Sequence, residues 1–285
     1  MAYNESEDCY IGTDELFDFL FDGELDEKEL AVLWRASIDD SADRKREKVI
    51  ISACLIGDCQ QWRGLVRPWK AKLAENDLRY FKSSECNLLR GEFMRFGSEK
   101  DYPSPLGRQI ADGIRDELDQ IIKDSEVLGI GVIIPVPVFA KCYAEPRYAA
   151  IISPDPYELA VQILWDQCVK GMEQLGRDHI VTFAHDDGDN YDRLRKLFRD
   201  YKARNPESAR RMADFVPLDD RRHPTIQAAD VAASVTQRLA VQWADSPSSA
   251  TLERLKANMY KVVVSTDDWL REALDCVIDV RAKRA

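Results

Sequence analysis

Two near-continuous apolar runs, KVIISACLIG (48–57) and LGIGVIIPV (128–136), constrain this chain most. A strand that is apolar on both faces must be covered on both faces, so each run reads as a buried strand of a layered domain. Prolines end the second run, because proline cannot continue a ladder. LAVLWRASIDDS, rich in strand formers, precedes the first run across a short charged turn, and the two read as a hairpin. HIVTFAHDD (179–187) and ADFVPLD (213–219) are the remaining strands, and LRYFKSS (78–84) is a short extended piece. Helical patterns fill 59–76, 85–96, 105–125, 155–175, 190–204 and 224–242, and two more, about 247–260 and 266–284, finish the chain. An opening hairpin followed by alternating strands and helices predicts a mixed sheet with both antiparallel and parallel members.

The 285 residues, 45% of them hydrophobic, can bury a sizeable core. No apolar run approaches the ~20 residues of a membrane span, and MAYNESEDCY lacks the basic start and apolar stretch of a secretory signal. The expectation is a soluble, cytoplasmic protein with no membrane partner. Seven scattered cysteines, an odd number with no C-x-x-C pair, argue for reduced thiols. The net charge of −11 is uneven: residues 1–30 hold eleven acids and only Lys28, so the remaining 255 residues carry −1. This divides the chain into an acidic extension (1–30), one domain (31–245) and a C-terminal helical extension packed on it (246–285).

Within the extension, Phe17, Phe19, Leu20 and Phe21 alternate with acids, as in a short amphipathic helix that docks a protein partner or covers a basic groove; a solubilising tail has the same composition. Basic runs recur at 44–48, 63–72, 192–204 and 220–223. They are solvated faces or, where several converge, a phosphate-tracking groove. Lys196, Arg199 and Lys202, at helical spacing, are the candidate nucleic-acid contacts.

In HPTIQAADVAASV (223–235), helical spacing puts Asp230 on one stripe with Ile226, Ala229 and Ala233. An unpaired buried carboxylate costs several kcal/mol, so Asp230 needs an edge to water, a cationic partner or a metal ion. Acids also stand at strand ends: Asp39 and Asp40 in SIDDS, Asp186 and Asp187 in FAHDDGD. Successive strand side chains face opposite ways, so one of each pair points at a given site. Glu85 stands where the extended piece becomes a helix. Each of these also suits turn or cap chemistry. Carboxylates converging from separate elements, without histidine or cysteine, suit Mg²⁺ or Mn²⁺, which activate water for phosphodiester cleavage. His185 and His223 flank the acids, as loop histidines or proton shuttles.

SIDDSAD, YFKSSE, FAHDDGD and HPTIQAADVAA, in this order over roughly residues 35–242, resemble motifs of the family called domain of unknown function 3800; the IQ-x-AD helix is the distinctive one. That family is similar to ribonuclease H-like proteins. The resemblance implies an α/β, ribonuclease H-like mixed five-stranded sheet flanked by helices, here with extra C-terminal helices. It assigns Asp39 to the first-strand metal ligand, Glu85 to the acid after the third strand, Asp186 to the fourth-strand ligand and Asp230 to the helix ligand. The implied activity is a metal-dependent nuclease; the alternative is an inactive adaptor of the same fold that docks a partner through its N-terminus. One departure is Ala42, where the family has a glycine suited to a tight turn.

Overall fold

The computed structural model describes residues 33–43, 45–98, 105–174, 179–188, 190–258, 261–264 and 266–282. The acidic extension, with Phe17, Phe19, Leu20 and Phe21, lies outside the described residues.

The chain forms an α/β structure around one mixed sheet of six strands, β1 (Leu33–Ala42), β2 (Val49–Gly57), β3 (Leu128–Pro135), β4 (Ile180–Asp186), β5 (Met212–Leu218) and β6 (Lys261–Val264), in the spatial order β5-β4-β1-β2-β3-β6. β1–β2 and β2–β3 are antiparallel, while β1–β4, β4–β5 and β3–β6 are parallel. The five strands expected from the sequence are therefore joined by a sixth. It comes from the C-terminal segment, which is not purely helical: KVVV falls between the two helices expected there, and its β-branched residues favour a strand beside β3. The extended piece at 78–82 belongs to no strand.

The helices are α1 (Cys59–Glu75), α2 (Ser83–Leu88), α3 (Leu106–Asp124), α4 (Val136–Tyr143), α5 (Pro146–Ala149), α6 (Pro156–Gln174), α7 (Tyr191–Arg204), α8 (Pro206–Ala209), α9 (Pro224–Asp245), α10 (Ser249–Asn258) and α11 (Asp267–Ala282), with a 3₁₀ turn at Gly91–Gly97. α1 starts at a capping box in which Asp58 and Gln61 each accept the other's backbone N–H at 2.9 Å. Its buried Trp62, Leu65, Trp69 and Leu73, three and four apart, make one apolar stripe. No helix among the described residues is long and apolar enough to cross a membrane.

Both sheet faces are covered, as the continuous apolar strands require. α6 and α7 pack on one face around the fully buried Trp165, whose ring centre lies 5.2 Å from Phe198 and 5.9 Å from Phe215. α1, α3 and α9 cover the other. Ala228, Ala229, Ala232 and Ala233 let α9 lie close against β1 and β2, with almost its whole N-terminal half buried.

The β1–β2 turn is organised by Asp43, whose carboxylate accepts the backbone N–H groups of Glu47 (3.2 Å), Lys48 (2.8 Å) and Val49 (3.0 Å). The left-handed residue of this turn is Arg46, at φ 55°, whereas Ala42 ends β1 in extended backbone. Alanine in place of glycine therefore costs nothing here.

Candidate carboxylate site

The alternation of β1 turns Trp34, Ala36 and Ile38 toward α6 and α7, and Asp40 with them. Asp39 faces α9. In β4 the register Ile38↔His185 puts His185 on the α6 side and, one step on, Asp186 beside Asp39 on the α9 side. The sheet thus presents two acids from adjacent parallel strands to the helix that carries Asp230.

Asp39 and Asp230 meet: their half-buried carboxyl groups lie within hydrogen-bonding reach of each other. Burial and then the facing charge of Asp230 push the Asp39 carboxyl well above the usual carboxylate range. Burial likewise lifts Asp230 to about 6, against the opposing pull of hydrogen bonds from Ser83. The Ser83 backbone N–H, opening α2, donates to Asp230 Oδ2 at 2.5 Å. Asp230 is half-buried, so it has an edge to water, and the cation that acts on it is the Lys82 ammonium.

Asp186 is raised by burial and by Asp220, and lowered by the Lys82 ammonium. Lys82 is hydrogen-bonded to the Asp220 carboxylate, and its charge also acts on Asp230. Asp220 therefore holds the ammonium directly, and the charges of Asp186 and Asp230 act on it from farther away.

Glu85 is not part of this group. It lies in the first turn of α2 rather than after a strand, where it accepts hydrogen bonds from the Tyr80 hydroxyl (3.0 Å) and the Glu92 N–H (3.0 Å). It clamps the turn around Leu89 and Gly91, both at positive φ. A Cβ at Gly91 would fall 1.9 Å from its carboxylate, so glycine is required there. The expected meeting of four acids is thereby corrected to a pair, Asp39 and Asp230, with Asp186 alongside. Among the described residues no three His, Cys, Asp or Glu side chains are grouped so as to hold a metal ion.

The basic trio is separated from these acids by the sheet. Leu194, Phe198 and Tyr201 seat α7 in the Trp165 core, on the face opposite α9. Lys196 and Arg199 are exposed on that side. Lys202 donates to the backbone oxygens of Met212 and Ala213, the latter at 2.9 Å, and so anchors the start of β5. The spacing of the trio is helical, and the helix lies on the face opposite the acids.

His185 is buried, not a loop residue: its Nε2 shares a 2.9 Å hydrogen bond with the Tyr157 hydroxyl, and its Nδ1 bonds the Asp186 backbone oxygen at 2.9 Å. Tyr157, at the start of α6, also bonds Asp40. This back-face chain ties the ends of β1 and β4 together. His223 caps α9, its Nδ1 2.9 Å from Asp219 O.

Neither a family model nor a curated protein matches the chain.

Gln227, the glutamine of the IQ-x-AD stretch, had no role assigned from the sequence. Its side chain is buried and bonded at both ends: Oε1 accepts from Trp69 Nε1 (3.0 Å) and Phe81 N (3.2 Å), and Nε2 donates to Asp220 O (2.8 Å). One amide joins α1, the segment before α2, the loop after β5 and α9, and so fixes the walls around Lys82 and Asp230. The signal in the sequence was a glutamine one turn before Asp230, within the IQ-x-AD stretch. Lys82 and Ser83 lay in plain view beside Glu85, which drew the attention as the acid.

Proposed function

We propose that this protein is a divalent-metal-dependent phosphodiester hydrolase, a nuclease, on a ribonuclease H-like sheet. The observation that carries the reading is the meeting of Asp39 and Asp230 from elements 191 positions apart in sequence. Two adjacent carboxylates that must share a proton are an unfavourable arrangement unless a cation is to take the proton's place. The donors of the pair are hard carboxylate oxygens, which fits Mg²⁺ or Mn²⁺. The strand order β5-β4-β1-β2-β3, antiparallel through β1–β3 and parallel through β4 and β5, also supports it, because a mixed sheet opening with antiparallel strands is what the family resemblance implies.

Asp39 and Asp230 would hold the ion, with Asp186 beside them. A bound divalent ion supplies an activated water and charge stabilisation for a phosphodiester. The chain's own contribution is positional. Ser83 N–H aims Asp230, the Tyr157–His185 chain fixes the ends of β1 and β4, and Gln227 sets the loop bearing Asp220.

A second reading, a protein that keeps this fold for binding without turnover, draws on the absence of a third acid at ligand distance among the described residues and on the ammonium already present. Titrating Mn²⁺ while following the melting temperature decides between them. The hydrolase reading expects stabilisation by a few degrees at saturating Mn²⁺, about 2.7 kcal/mol at a hundredfold excess over Kd, and its loss in Asp230→Ala. A melting temperature indifferent to Mn²⁺ in the wild type abandons the hydrolase in favour of the binding protein.

A further inference from the structure

Lys82 stands among the acids, and the local backbone holds it there. On one side Phe81 N–H is bound by Gln227 Oε1 at 3.2 Å, and on the other Ser83 N–H is bound by Asp230 Oδ2 at 2.5 Å. Between these two fixed points the backbone of Lys82 is extended, at φ −140° and ψ 122°. Its side chain is 37% exposed and its ammonium bonds Asp220, itself in the loop pinned by Gln227. With Asp39, Asp186, Asp220 and Asp230 at hand, a phosphodiester anion would be repelled from this surface unless positive charge is supplied.

We propose that Lys82 is both the resident counter-charge of the acidic group and its phosphate-binding residue, released to a non-bridging phosphate oxygen when a divalent cation takes over the neutralisation of Asp39 and Asp230. The inference rests on the hydrolase reading above and adds to it the group that receives the substrate. A lysine suits both tasks. Its ammonium is a compact point charge on a flexible four-carbon stem, so it can exchange one oxygen partner for another without the fixed fork geometry a guanidinium demands. Asp220, at the solvent side, is the partner it would leave.

The role predicts opposite effects on the two ligands. As a counter-charge, Lys82 competes with the metal ion; as a phosphate contact, it cooperates with substrate. The experiment measures Mn²⁺ binding by calorimetry, and the binding of a labelled single-stranded oligonucleotide, as DNA and as RNA, with and without Mn²⁺. The proteins are wild type, Lys82→Met, Lys82→Arg and Asp220→Asn.

Removing a unit charge close to the ion should tighten Mn²⁺ binding about tenfold in Lys82→Met, while the gain in oligonucleotide affinity that Mn²⁺ brings falls to a small part of the wild-type gain. Lys82→Arg, which keeps the charge, should restore most of that gain. Asp220→Asn removes the resting partner without removing the ammonium, so its Mn²⁺-dependent oligonucleotide binding should equal or exceed wild type, and its folding does not depend on the lysine variants. Unchanged Mn²⁺ affinity in Lys82→Met, or an undiminished oligonucleotide gain there, overturns the inference while leaving the metal reading intact. Failure of wild type and Lys82→Met alike to bind Mn²⁺ removes the hydrolase reading, and this inference with it.

Discussion

The raised carboxyl groups of Asp39 and Asp230 make stability depend on pH with a sign opposite to that of most carboxylates. Both groups hold their proton more tightly in the folded chain than at the ordinary value of about 3.9, Asp230 up to about 6. The stabilisation is therefore complete below pH ~4 and is lost as the pH rises through 6, roughly 2–3 kcal/mol for Asp230. Asp43 runs the other way: burial raises it, but the backbone donors of the turn prevail and its carboxyl titrates below the usual range. Metal-free Asp230→Asn should melt higher than wild type at pH 8 and close to it at pH 5. An asparagine can still accept from Ser83 N–H and donate to Asp39, without the second charge. Thermal melts of both proteins across pH 4–9 test this; parallel curves would refute the raised carboxyl groups. Gln227→Leu should cost about 2–4 kcal/mol, since it leaves the Trp69 indole N–H and the Phe81 amide buried without acceptors. Asp230 was legible in the sequence because an acid inside an apolar stripe has few explanations. Gln227 was not, because a buried amide is defined by partners 146 and 158 positions away.

At the level of elements, the strands were legible wherever apolar side chains ran on continuously, and β6 was missed because four residues between two expected helices carry too little pattern to mark a strand. Which face a helix occupies was not legible at all. α7 has the amphipathic pattern of a surface helix, yet only the pairing of β4 with β5 sends it to the Trp165 side, away from the acids. Charge reversal of Lys196 and Arg199 to glutamate should accordingly change oligonucleotide affinity at the acidic surface less than twofold, measured at low salt where distant charges act most strongly. Trp165→Ala, at the centre of four aromatic neighbours joining α6, α7, β4 and β5, should cost about 3–5 kcal/mol in denaturant unfolding.

For the molecule as a whole, the segment after Asp245 completes the sheet by pairing β6 with β3. Ending the chain at Asp245 would expose the β3 edge, a long apolar strand with unpaired amides, and light scattering should reveal self-association at concentrations where the full chain is monodisperse. The sheet itself decides which chemistry the chain can present. Asp39 and Asp40 are neighbours in sequence but look out from opposite sides, one toward Asp230 and the other toward Tyr157 and His185. A slip of β1 by a single position would exchange them, burying the first acid among aromatic rings and offering the second to α9. The turn held by Asp43 is thus more than a connector: by fixing how the hairpin aligns, it selects which of two chemically identical side chains faces Asp230 and which is tied into the scaffold by Tyr157.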